Sequence, residues 1–126
     1  MYFLISRWPH DLEVIWSRLT PLNTAYGFAP NSKPFVVGEV SDGFDRAQHG
    51  FLGSDYFSLG TITEFRFSEA ISRSFSGGDQ LKWLQSFGEV WGFWPSKYAL
   101  AFVDNHDNQR DNPNVLTYKN GRLYIM

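Results

Sequence analysis

No cysteine occurs among the 126 residues, so neither a disulfide framework nor a thiol site lies within this stretch. Compartment is left open by that absence. An excess of charge is missing as well. Eleven Lys and Arg face thirteen Asp and Glu, a net charge of −2, and no basic run suggests nucleic acid or an anionic membrane as a partner. No apolar run reaches the roughly 18 residues needed to span a bilayer. The opening Met1-Tyr2-Phe3-Leu4-Ile5 is apolar, yet it lacks a positive leading region and is too short for a signal peptide. It reads as a truncation point or a misjudged start. Internal repeats and low-complexity tracts are absent too.

What the chain has is aromatic surface. Aromatic residues make up 18% of it, with twelve Phe and five Trp, inside a hydrophobic fraction of 43%. That is enough to fill a core, and core is the simpler reading for most of these rings. Any surplus would suit a sugar-binding cleft, where flat rings cover the apolar faces of sugars.

The pattern along the chain alternates. Pro9 heads a helix in which Leu12, Ile15, Trp16 and Leu19 recur at helical spacing, and Thr20-Pro21 ends it. A polar loop with Asn23, Gly27, Pro30, Asn31 and Pro34 follows. Phe35-Val36-Val37-Gly38-Glu39-Val40 reads as a short buried strand, and residues 41–60 as a long surface loop. Residues 61–67 alternate and read as another strand. Ser68 is placed to cap a helix with Ala70, Ile71 and Phe75 on one face. Gly77-Gly78 breaks it, and Asp79 is placed to cap the next helix, carrying Leu81, Trp83, Leu84 and Phe87. Residues 98–103 form an apolar run suited to a strand covered on both faces. Residues 122–126 look like the first turn of one more helix. The expected class is α/β, a parallel sheet with crossover helices. A (β/α)8 barrel needs about 250 residues, so residues 1–126 would form one partial barrel domain, truncated at both ends.

The apolar run ends in Asp104, Asn105, His106 and Asp107, at the strand end where a parallel barrel places its chemistry. A turn, a capping segment or a metal cluster would also account for Asn-His-Asp, and a lone His beside carboxylates is weak evidence for a metal. Glu39 is the second candidate. Either it is a strand-end glutamate exposed to solvent or paired with Arg46 or Lys33, or its apolar surroundings let it hold a proton and donate it near neutrality. Asp107 would then be a carboxylate in a different environment. His10 and His49 stand alone and read as surface residues.

Residues 102–110, Phe-Val-Asp-Asn-His-Asp-Asn-Gln-Arg, resemble the fourth signature region of animal-type α-amylases of glycoside hydrolase family 13. Pro34-Phe35-Val36-Val37-Gly38-Glu39-Val40 with Asp42 resembles the third region, with Gly38 in place of the usual Gln and Ser41 in place of the usual Ile. Thr63-Glu64-Phe65-Arg66-Phe67, Trp91-Gly92-Phe93, Trp8-Pro9 with Asp11-Leu12, and Leu22-Asn23-Thr24 also match the animal pattern. The resemblance runs from about Trp8 to Tyr124. It implies a partial (β/α)8 TIM barrel, roughly its middle strands and helices. The parent would hydrolyse α-1,4-glucosidic bonds of starch, glycogen and maltooligosaccharides internally, with retention.

The resemblance also implies roles. Glu39 matches the general acid/base, Asp107 the third catalytic carboxylate, His106 a histidine that binds sugar hydroxyls, and Asn105 a chloride ligand. Calcium and chloride, secretion, and a monomeric parent without nucleic-acid or membrane partners are implied as well. Counting back from Trp8-Pro9 puts Tyr2 where the nucleophilic Asp belongs, Ile5 at a lysine position and Ser6 at a calcium ligand. The arginine expected to complete the chloride site is missing, as is the Gly-rich loop after the fourth region, which Asp111-Asn112-Pro113-Asn114 replaces. The chain alone is therefore expected to be inactive and to fold poorly. Two alternatives stand: a non-catalytic carbohydrate- or partner-binding relic using Trp83, Trp91 and Trp94, and a family relative with another specificity, such as a glucosidase.

Overall fold

A computed structural model describes residues 2–5, 8–41 and 50–118. The chain divides into two compact units, residues 1–63 and 64–126.

In the first unit, Tyr2–Ile5 forms strand β1, parallel to β2 (Val36–Glu39), with Tyr2 opposite Val36 and Ile5 opposite Glu39. Residues 2–5 of the opening apolar run thus form a strand, as their β-prone character allows. β2 pairs in parallel with β3 (Thr61–Glu64), Val37 opposite Thr61 and Gly38 opposite Ile62. Parallel neighbours need a crossover connection, and helix α1 (Pro9–Arg18) lies in the one between β1 and β2. Pro9 opens α1, Asp11 sits in its first turn and Arg18 in its last, signs that suit the helix dipole. The Lys33 ammonium donates to the Leu19 carbonyl and, at 3.4 Å, to that of Trp16, closing the far end. Of the expected stripe only Leu12 is fully buried, while Ile15 is half exposed. Val36, Val37, Val40 and Ile62 complete the core with Tyr56 and Leu59. The last two correct the reading of 41–60 as surface loop: a 3-10 turn at Gly53–Tyr56 turns them inward. Residues 42–49, which include Asp42, Arg46 and His49, lie outside the described residues.

In the second unit, helix α2 (Phe65–Phe75) begins three residues before Ser68, and the strand expected to reach Phe67 stops at Glu64. The reason is local. The Glu64 carboxylate accepts the Arg66 backbone N–H at 3.1 Å and caps the helix itself. Ser68 is instead fully buried, its hydroxyl donating to the Phe102 carbonyl at 2.7 Å. Ala70 is buried as expected, but Ile71 and Phe75 are only half-buried, and the small Ser72 and Ser74 join Ala70 inside. Gly77 takes φ 83° at the break, as expected of a glycine. Asp79 does not cap the next segment. Its carboxylate pairs with Arg73, and Leu81–Ser86 is a 3-10 segment without a side-chain cap. Strand β4 is only Ala99–Ala101, with Ala101 exposed, so the expected cover on both faces is incomplete. A short helix α3 (Asn108–Asp111) follows. Residues 122–126 lie outside the described residues.

Candidate active site

Glu39 is the last residue of β2. Val36, Val37, Gly38 and Val40 around it are buried, while Glu39 is half-buried. An apolar strand thus delivers a carboxyl to its C-terminal end, which is the end that carries chemistry in parallel α/β sheets. Lys33, one proposed partner, holds helix carbonyls instead. Arg46, the other, lies outside the described residues.

Asn105, His106 and Asp107 form a turn ahead of α3. The Asn105 side-chain oxygen accepts N–H bonds from Asp107 at 3.2 Å and Asn108 at 2.8 Å. Such a local amide-to-backbone turn is what Asn favours outside regular structure. Asp107 is the N-cap residue of α3, yet its side chain makes no capping bond. Its carboxylate instead meets His106 Nε2 at 3.6 Å, with the two side chains 61% and 72% exposed. An exposed pair of this kind contributes little to stability, which leaves both groups available to a ligand.

One charged cluster carries no sequence signal beyond its matching pattern. Glu64 is 1% exposed. Its carboxylate receives Arg66 Nε at 2.7 Å and Nη2 at 2.6 Å, and the Trp94 backbone N–H at 2.6 Å. Arg66 Nη1 donates to the Gly92 carbonyl, and the guanidinium lies 4.6 Å from the Trp94 ring. A buried carboxylate needs such complete pairing, and this one fastens residues 92–94 to the head of α2. Phe67, Phe87 and Phe93 pack beside it, with Phe67–Phe87 and Phe87–Phe93 both at 5.0 Å. Trp91 joins at 5.1 Å from Phe87, its indole N–H reaching Ser86 Oγ. Of the three Trp suggested as glucan platforms, only Trp83 is exposed.

Among the described residues no group of three or more His, Asp or Glu is placed to hold a metal ion. Ser6, where the resemblance puts a calcium ligand, lies outside them, and His10 is a surface residue beside Glu13. For chloride the donor chemistry of Asn105 fits. With Oδ1 held by backbone N–H groups, the amide nitrogen is the end that would donate to an anion.

No protein-family model matches the chain. Individual proteins do. It is 53% identical over 116 residues to alpha-amylase-related proteins of Drosophila orena and Drosophila melanogaster, covering 92% of this chain and 23% of each relative. The structure of α-amylase I from Eisenia fetida matches with a TM-score of 0.81 at 34% identity, over 93% of this chain and 24% of that one. A mutant of that enzyme in complex with maltohexaose matches equally well, at 33% identity. The chain spans about a quarter of the length of these relatives. By sequence and by structure it is similar to a segment of α-amylase-like proteins, with a partial α/β fold.

Proposed function

We propose that this segment belongs to the catalytic barrel of an α-amylase that cleaves internal α-1,4-glucosidic bonds of starch, glycogen and maltooligosaccharides with retention. The observation that carries the reading is Glu39, a carboxyl at the C-terminal end of a buried parallel strand in a chain that is amylase-like over 92% of its length. Glu39 would protonate the leaving oxygen and then activate water, opposite a nucleophilic carboxylate about 5–5.5 Å away. Asp107 would be a fixed negative charge whose hydrogen bonds to the sugar strengthen as the ring flattens. His106, beside it, would donate to sugar hydroxyls. Chloride, when bound near Asn105, would supply a fixed charge close to His106 and Asp107. Calcium, secretion and a monomeric parent belong to the same reading.

Tyr2 stands where the resemblance puts the nucleophile, and a phenol there does not replace a carboxylate. The 126-residue chain is therefore expected to hydrolyse no starch. Residues 8–118 moved into the Drosophila melanogaster relative, in place of its matching segment, should support hydrolysis that Glu39→Gln removes. Turnover by the isolated chain that Glu39→Gln abolishes would contradict the first expectation, and an inactive transplant the second. A carbohydrate-binding relic is the second reading, favoured only by the 46% exposed Trp83. Calorimetry with maltooligosaccharides distinguishes it, since the relic binds without cleaving.

A further inference from the structure

We infer that Thr63 is a positioning residue for Glu39, an inference that rests on the acid/base reading of Glu39. The regular pairing of β2 with β3 carries Gly38 opposite Ile62, and Glu39 is the last residue of its strand. Beyond that point a side chain takes over. Thr63 Oγ1 accepts the Val40 backbone N–H at 3.1 Å. The same hydroxyl is 3.3 Å from the Val40 carbonyl and 3.5 Å from that of Gly38, so its single proton goes to one of them. The peptide group that follows Glu39 is thereby tied through its N–H to the neighbouring strand, and the same hydroxyl lies within reach of the carbonyl that precedes Glu39. Thr63 is 6% exposed, and Val would fill the same space in a buried strand with equal or better propensity. A buried hydroxyl costs free energy unless it is hydrogen-bonded, and here all of its bonds converge on the backbone that carries the acid. General acid catalysis depends on where the carboxyl points, and a displacement of about 1 Å can cost roughly a hundredfold in rate.

Two measurements test this. In the 126-residue chain, hydrogen exchange at the Val40 amide should accelerate roughly tenfold or more in Thr63→Val relative to Val36 and Val37. Thr63→Ser, which keeps the hydroxyl, should leave it slow. A Val40 amide that exchanges at the same rate in Thr63→Val as in the parent chain overturns the clamp. In the transplanted barrel, kcat/KM is read on maltohexaose, whose leaving group needs a proton, and on α-maltosyl fluoride, whose leaving group does not. Thr63→Val should lower the first roughly tenfold to a hundredfold and change the second by less than about twofold. Thr63→Ser should restore most of the first. Equal losses on both substrates mark a merely structural role and overturn the proposal, as does no loss on either. If the parent transplant is active and Glu39→Gln shows the substrate split while Thr63→Val does not, only the positioning role of Thr63 fails. A transplant inactive on both substrates removes the acid/base reading, and this inference with it.

Discussion

Glu39 and its neighbours show how much turns on single positions. Gly38 precedes the candidate acid, inside a strand where glycine forfeits side-chain packing and backbone entropy. A Cβ built there meets Ile62 Cγ2 and Val40 Cγ2, both at 3.5 Å, which is ordinary van der Waals contact. A void of about 10 Å³ lined by Leu12, Val36, Tyr56 and Ile62 adjoins it. Gly38→Ala should therefore stabilise the chain by about 0.5–1 kcal/mol, read as a higher urea midpoint with an unchanged slope. An unchanged or lower midpoint would mean that the strand cannot accept the methyl group. Glu39, Asn105, His106 and Asp107 could be named from sequence because each falls in a contiguous run with a distinctive order. Thr63 could not be assigned a role that way. Its partners lie 23 and 25 residues away, and only the pairing of β2 with β3 shows which backbone its hydroxyl meets.

Among the elements, α2 departs most from its sequence pattern. Alternation through residues 61–67 suggests a strand, but Glu64 caps a helix that starts at Phe65. The competing choice is decided by the Glu64–Arg66 pair, whose bonds to Gly92 and Trp94 come from residues some 30 positions later. Glu64→Ala should cost about 1–3 kcal/mol, because it leaves the Trp94 and Arg66 backbone N–H groups and the partly exposed guanidinium without their acceptor. A urea series would measure the loss, with a shift in intrinsic Trp fluorescence as residues 92–94 release. A loss below about 1 kcal/mol would show that the cluster is fully solvated instead. The turn before α3 offers a milder test. Asn105→Ala removes an acceptor of two backbone N–H groups and should cost about 1 kcal/mol, as other caps do. No change in the urea midpoint would remove Asn105 from that capping role. The bounds of helix α1, by contrast, follow local signals, with Pro9 at its head and Thr20-Pro21 just past its end, although of its expected stripe only Leu12 is fully buried.

At the scale of the whole molecule, the aromatic excess is not core. Tyr56 is the one fully buried aromatic among residues 8–41 and 50–118, while Trp8, Tyr26, Phe35 and Trp83 are between 46% and 80% exposed. Ile15, Phe28, Leu52 and Leu81 add to that surface. Apolar area on this scale marks an interaction face or an aggregation hazard. The isolated chain should therefore enhance and blue-shift the fluorescence of ANS at neutral pH, and the transplanted barrel should do so far less. Equal dye binding by both would show that these side chains are exposed in the complete barrel too.

Local signals in the chain were enough for the α/β class, the helix at Pro9, the strand that carries Glu39 and the motif that ends in Asp107. All of these rest on periodicity or on contiguous order, which act over a few residues. Tertiary contacts were needed to pair the opening apolar run as β1, to start α2 at Phe65, to turn Tyr56 and Leu59 inward, and to set Thr63 against the backbone on both sides of Glu39. Each of those outcomes depends on a partner distant in sequence, and hydrogen-bond or packing energy gained across such distances overrides local propensity.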